Sequence, residues 1–101
     1  MKKTALIVGM AKSGISSAKL LYRNGYNVII NDMKPVIPGL EEALSGIEYT
    51  DKLGEAPETL LDGVDLMIIS PVIPIFAPFV RKAQRRGIEV IGEIELGYRY
   101  C

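Results

Sequence analysis

The stretch Leu6-Ile7-Val8-Gly9-Met10-Ala11-Lys12-Ser13-Gly14-Ile15-Ser16-Ser17 reads as an apolar strand that turns at glycine into the start of a helix. Leu6, Ile7 and Val8 run without a polar interruption, the pattern of a parallel strand covered on both faces. Gly9, Ala11 and Gly14 then occupy the small-residue positions of G-x-G-x-x-G, which serve a tight turn, the approach of a phosphate, and close packing of helix on strand. The middle position is alanine, and its methyl group narrows the space between backbone and anion. A pyrophosphate directly across that peptide is thereby disfavoured, while a smaller or displaced diphosphate still fits. Ser13 is expected to cap the helix, whose free N–H groups and positive dipole end would face the anion, and Lys12 adds a mobile positive charge. Turns of small residues that bind nothing share this pattern, so its meaning depends on its surroundings.

Those surroundings are the ones a nucleotide-binding α/β unit requires. Ile15, Ala18, Leu21 and Tyr22 form one stripe of a helix that Asn24-Gly25 stops, and a second apolar run, Asn27 to Ile30, ends in Asn31-Asp32. Asp32 thus falls at the carboxyl end of a second strand, about 20 residues beyond the glycine turn, where this architecture places an acidic acceptor for a nucleoside. Met33-Lys34-Pro35 opens a loop through Pro38-Gly39, after which Leu40, Ala43 and Leu44 predict a short helix closed by Ser45-Gly46. Ile47 to Thr50 is expected to form a short edge strand, and Pro57 to Leu61 another short helix. Val64 to Ile69 is a further strand, apolar throughout, that ends at Ser70-Pro71-Val72-Ile73-Pro74.

Pro78 suits a first helical turn; Phe79, Val80 and Ala83 supply a buried face, and Gly87 stops the helix. Its basic run, Arg81, Lys82, Arg85 and Arg86, reads as a solvated face complementing the helix dipole. Ile88 to Ile91 predicts a fifth strand and Glu93 to Tyr100 a last helix, ending in Tyr-Arg-Tyr-Cys without a stop residue, as in a domain cut from a longer protein. These elements predict a doubly wound, Rossmann-like α/β domain with a parallel five-stranded sheet in the order 3-2-1-4-5 and helices on both faces. In that order the Gly9 and Ser70 turns face each other across the crevice above neighbouring strands. Ser70 offers a hydroxyl there and two prolines stiffen the loop, although a plain strand-to-helix connection has the same residues.

The chain has 101 residues, sized for a single domain, with 12 Lys and Arg against 12 Asp and Glu. This balance lacks the basic surplus of nucleic-acid binding, which is excluded as a function class. Cys101, the single cysteine, has no internal disulfide partner, and a reducing, cytoplasmic setting follows. Lys2-Lys3 and the apolar Ala5 to Val8 imitate a secretory signal only until Lys12 interrupts the run. No segment is long enough to span a bilayer, so no membrane partner is expected.

Four separated motifs, GMAKSGISSAKLL (Gly9 to Leu21), the Asp32 strand end, SPVIP (Ser70 to Pro74) and GIEVIGEIEL (Gly87 to Leu96), resemble the N-terminal domain of the Mur ligases of peptidoglycan synthesis. The likeness runs over nearly the whole chain and is strongest to the ligases that add D-glutamate to UDP-N-acetylmuramoyl-L-alanine. The resemblance implies a Rossmann-like domain that holds the UDP part of that substrate, as the first of three domains. Lys12, Ser13 and Gly14 would hold the diphosphate, chiefly through backbone N–H groups. Asp32, with Met33 and Lys34, would contact the uracil, and Ser70, Pro71 and Val72 would close over the nucleotide. It further implies ATP and Mg²⁺ in the full-length enzyme, held by central ATP-binding and C-terminal domains that this chain lacks, and an acyl phosphate attacked by the amine of D-glutamate.

None of that machinery is visible in the 101 residues. Gly9 to Gly14 has P-loop spacing but is followed by Ile15-Ser16, so no lysine reaches ATP phosphates, and the chain has no histidine and no metal-ligand cluster. No cofactor site or turnover is expected of the chain alone. The relatives usually read Ser-Pro-Gly where this chain has Ser70-Pro71-Val72, and a valine is costly if the position needs positive φ. Two other readings share the glycine turn. One is a nicotinamide-dinucleotide domain of a dehydrogenase, with Asp32 on a ribose hydroxyl and Lys34 near a 2′-phosphate. The other is a nucleotide-sensing module without a catalytic partner.

Overall fold

The structure is a computed structural model that describes residues 2–100. Its order is β1 (Thr4–Val8), α1 (Lys12–Arg23), β2 (Asn27–Asp32), α2 (Leu40–Ala43), β3 (Thr50–Leu53), a 3-10 turn (Pro57–Thr59), β4 (Leu66–Ile69), α3 (Pro78–Arg85), β5 (Glu89–Gly92) and α4 (Glu93–Arg99). The strands form one five-stranded sheet in the order β3-β2-β1-β4-β5, with every neighbouring pair parallel. This is the doubly wound α/β arrangement and strand order that the residue pattern predicts.

The pleat explains why the central strands read as unbroken apolar runs. Ala5 and Ile7 of β1, Val28 and Ile30 of β2, and Leu66 and Ile68 of β4 join one core, beneath residues of α1, α2 and α4. Leu6, Val8, Met67 and Ile69 point the other way, into a second core closed by Val80 and Ala83 of α3 with Leu61 and Val64. Both faces are covered, so β1 is apolar at every position from Ala5 to Val8, and only its half-buried first residue, Thr4, is polar. Each fully buried Leu, Ile or Met here contributes about 1.5–3 kcal/mol of transfer free energy.

Five element boundaries differ from the expectations, the fifth strand among them, which is Glu89–Gly92 rather than Ile88 to Ile91. The edge strand is Thr50–Leu53 rather than Ile47 to Thr50, because Ile29 pairs with Thr50 and Asp32 with Leu53. Ile47 and Tyr49 instead lean on the core from the approach to the strand. The segment after Ala56 makes only the 3-10 turn Pro57–Thr59. At β4, Val64 N–H turns back to the Leu61 carbonyl and Asp65 N–H bonds the Thr4 carbonyl, so the ladder begins at Leu66. The last helix runs to Arg99 with Tyr100 as its C-cap, and Cys101 lies outside the described residues.

Candidate nucleotide-binding site

The site is built where β1 ends. Gly9 has φ 104°, a conformation that favours glycine, and its N–H donates to the Asn31 carbonyl at 2.8 Å. The chain then reverses into α1 within two residues. A Cβ on Gly14 would lie 2.0 Å from the Gly9 carbonyl oxygen, so the third small residue of the motif lets the helix sit directly on the turn.

Ser13 does not cap that helix. Ala11 is the N-cap, extended at φ −79° and ψ −173°, and makes no side-chain cap bond; Ser13 lies inside the first turn, its carbonyl accepting from Ser17 Oγ at 2.9 Å. The chain makes its turn earlier than the capping rule supposes, because Gly9 already supplies the reversal. The consequence concerns donors. The first intrahelical bond is Ile15 N–H to the Ala11 carbonyl, so the amides of Lys12, Ser13 and Gly14 have no hydrogen-bond partner among the described residues. The first turn of α1 also carries no acidic residue. Three free donors thus lie at the positive end of a 12-residue helix, an arrangement whose electrostatics favour an anion.

Asp32, at the end of β2, faces this turn. Its Oδ2 accepts from Met10 N–H at 2.8 Å and its Oδ1 from Lys34 N–H at 3.0 Å. The carboxylate thus fixes the shape of the glycine turn and of the loop after β2, and each oxygen keeps a second lone-pair site for a ligand. The neighbouring Asn31 is fully buried and its Nδ2 donates to the carbonyls of Lys52 and Glu55, tying down the end of β3. Lys12 and Lys34 are exposed and make no ion pair among the described residues, which leaves two mobile cations at the rim.

Across the crevice, Val8 pairs with Ile69, so the Gly9 and Ser70 turns emerge side by side. A Cβ built on Gly9 would touch the Ser70 Cβ at 3.4 Å. Ile73 N–H donates to the Ser70 carbonyl at 2.9 Å, closing a turn around Pro71 and Val72. Val72 carries no backbone strain, since no described residue other than glycine has positive φ. Its side chain and that of Met33, on the loop after β2, stand 85% and 86% exposed on the two sides of the crevice.

The residue pattern gave no notice of a cavity of about 370 Å³ beside this turn, between α1 and α4, with Ser13 and Pro71 in its wall. Glu93 also lines it, and Glu93 Oε1 is sealed from solvent without a hydrogen-bond partner. Read along the chain, Glu93 is only an acid in the first turn of a helix; its position depends on how α4 packs on α1. Groups with displaced protonation lie at the opposite, amino-terminal end of the strands. There the Tyr100 hydroxyl, bonded to Tyr26, pushes the Tyr26 phenol up to about 12, with burial adding to it. Arg99 holds the Glu89 carboxyl below its usual range. Among the described residues no three His, Cys, Asp or Glu side chains converge as a metal centre would need.

Residues 3–92 match the family model for the Mur ligase MurD-like N-terminal domain. The UDP-N-acetylmuramoylalanine--D-glutamate ligase of Enterococcus hirae is 47% identical over 100 residues, 95% of this chain and 21% of the relative. The ligase of the same name from Caldicellulosiruptor saccharolyticus is 40% identical over 102 residues, 98% of this chain and 22% of the relative. The chain therefore spans about a fifth of the length of these relatives. Among solved structures, the UDP-N-acetylmuramate:L-alanyl-gamma-D-glutamyl-meso-diaminopimelate ligase from Neisseria meningitides superposes with a TM-score of 0.69 at 18% identity, over 92% of this chain and 29% of that one, a likeness of fold. With a family model covering nearly its whole length and relatives this similar, the chain belongs to the MurD-like N-terminal domain family of the Mur ligases.

Proposed function

We propose that this chain seats the UDP moiety of UDP-N-acetylmuramoyl-L-alanine, as the substrate-anchoring domain of a cytoplasmic ATP-dependent ligase that adds D-glutamate in peptidoglycan synthesis. The observation that carries the reading is the trio of free amides on Lys12, Ser13 and Gly14 above the Gly9 turn. They take the diphosphate as hydrogen-bond donors, with Lys12 screening its charge. Asp32 holds the turn in shape and uses its remaining lone pairs on the base, while Met33 and Lys34 line one side of it and Ser70, Pro71 and Val72 the other. ATP and Mg²⁺ are engaged by the further domains of the full-length enzyme, and the isolated chain has no turnover.

Isothermal titration of the 101-residue chain with UDP, UDP-N-acetylmuramoyl-L-alanine, NAD⁺ and NADP⁺ under one condition tests this. Saturable binding of both uridine ligands with neither dinucleotide is the expected result. Preference for a dinucleotide would restore the dehydrogenase reading, against which the family and Ala11 both weigh. Release of ADP from ATP, Mg²⁺, D-glutamate and substrate by the chain alone would contradict its assignment as an anchoring domain.

A further inference from the structure

A further cavity, of about 320 Å³, opens at the amino-terminal end of the strands, opposite the glycine turn, and falls in the size range of small-ligand sites, about 300–1,000 Å³. Three tyrosines from three parts of the chain line it: Tyr22 in the last turn of α1, Tyr26 on the turn into β2, and Tyr49 just before β3. All three are half-buried and rest on the core beneath α1, and the buried Val28 lines the cavity with them. Tyr26 is held in place. Its N–H donates to the Leu21 carbonyl at 3.0 Å, its hydroxyl lies 2.9 Å from that of Tyr100, and the two rings meet edge to face. Its ring is therefore a fixed wall.

Two opposite charges complete the lining, Lys2 and Glu48. Both are exposed, and neither forms an ion pair with the other or with any other described residue. Opposite charges around one small cavity that leave each other unneutralised suit a ligand carrying both signs. Lys2 offers three donors to a carboxylate, and Glu48 accepts from an ammonium. The tyrosine rings take an apolar, flat body by stacking and edge contacts, and their faces attract the ammonium as well. A phosphate ester would be repelled by Glu48 and a simple cation by Lys2, while an uncharged aromatic would leave both unused.

We propose that this cavity binds a free α-amino acid with an aromatic side chain, its carboxylate on Lys2, its ammonium on Glu48 and its ring against Tyr22, Tyr26 and Tyr49. The site shares no residue with the nucleotide seat and stands or falls independently of it.

The test is titration of the chain, followed by ¹H–¹⁵N correlation spectra, with the L and D forms of phenylalanine. Beside them run phenethylamine, which lacks the carboxylate, hydrocinnamate, which lacks the ammonium, and glycine, which lacks the ring. Saturable shifts at the amides of Tyr22, Tyr26 and Tyr49 are expected with at least one form of phenylalanine and not with glycine. That form should bind about threefold or more tightly than either single-charge analogue, the increment of an exposed ion pair. Glu48→Gln should bring phenylalanine down to the affinity of hydrocinnamate, and Lys2→Met to that of phenethylamine. Both side chains are exposed, so the fold is kept, and an unchanged spectrum away from the cavity checks this. If one variant does not fold, the other decides together with the ligand series. Absence of saturable shifts with either form, equal affinity for all the ring-bearing ligands, or full preference in a folded variant overturns the proposal.

Discussion

Alanine at the N-cap of α1 is a poor choice for a helix considered alone. A Ser, Asp or Asn there would satisfy one of the amides that Ala11 leaves free, and such a cap stabilises by about 1 kcal/mol. Leaving it out keeps those donors free, as the proposed diphosphate seat requires. Ala11→Asp should therefore move two quantities in opposite directions. Stability should rise by about 1 kcal/mol, seen as a melting temperature higher by about 4–8 °C, while UDP affinity falls about tenfold or more because the new carboxylate takes the anion's place. A variant that is stabilised but binds UDP as before would separate the amides from the site. Gly14→Ala should cost about 1–3 kcal/mol by overpacking, since its Cβ would meet the Gly9 carbonyl oxygen at 2.0 Å. Asp32→Ala should weaken UDP binding and also lower stability by about 1–3 kcal/mol, as Met10 N–H loses its acceptor. Denaturant unfolding beside titration reads both, and unchanged stability would deny Asp32 its positioning role. The turn at Gly9 and the close packing at Gly14 were legible because the spacing of the small residues gives both. That Ser13 lies inside the helix rather than at its cap, and that Asp32 also braces the turn, were not, because which residue completes a turn depends on hydrogen bonds between elements.

At the scale of elements, the apolar strands announced themselves and the edge strand did not. β1, β2 and β4 are covered on both faces, so burial is written into consecutive residues. Thr50–Leu53 lies at the edge, exposed or half-buried throughout, and its position is set by the register on β2 rather than by any apolar period. The cavity at Glu93 escaped for a related reason: it exists only where α4 comes to rest on α1. That contact is held at its far end by Tyr26 and Tyr100, whose hydroxyls are 2.9 Å apart and whose rings meet edge to face at 6.4 Å. The Tyr26 phenol, pushed up to about 12, stays protonated in the fold where an unfolded tyrosine ionises near 10. Its contribution to stability is whole below that unfolded value and is lost as pH rises toward 12. Alkaline unfolding followed by circular dichroism should show this loss between about pH 10 and 12, and Tyr26→Phe should flatten it. An identical alkaline profile in the variant would count against the pairing. Glu89 behaves with the opposite sign: Arg99 lowers its titration, so its share of stability is present above the ordinary carboxylate range and fades as pH falls through it.

For the molecule as a whole, the parallel order β3-β2-β1-β4-β5 puts the change of winding direction between β1 and β4, where the Gly9 and Ser70 turns leave the sheet together. The order was readable in advance because strand and helix patterns alternate along the chain. The depth and lining of the crevice were not, since they depend on side chains from loops that no periodicity governs, Met33 and Val72 among them. The chain spans about a fifth of the length of these relatives. The central claim is that free backbone amides form the diphosphate seat, and a ¹H–¹⁵N correlation spectrum of the chain titrated with UDP tests it most directly. The amides of Lys12, Ser13 and Gly14 should shift together and saturate with one dissociation constant, and Ala11→Asp should abolish the response. Saturable UDP binding that leaves those three amides unmoved would contradict it.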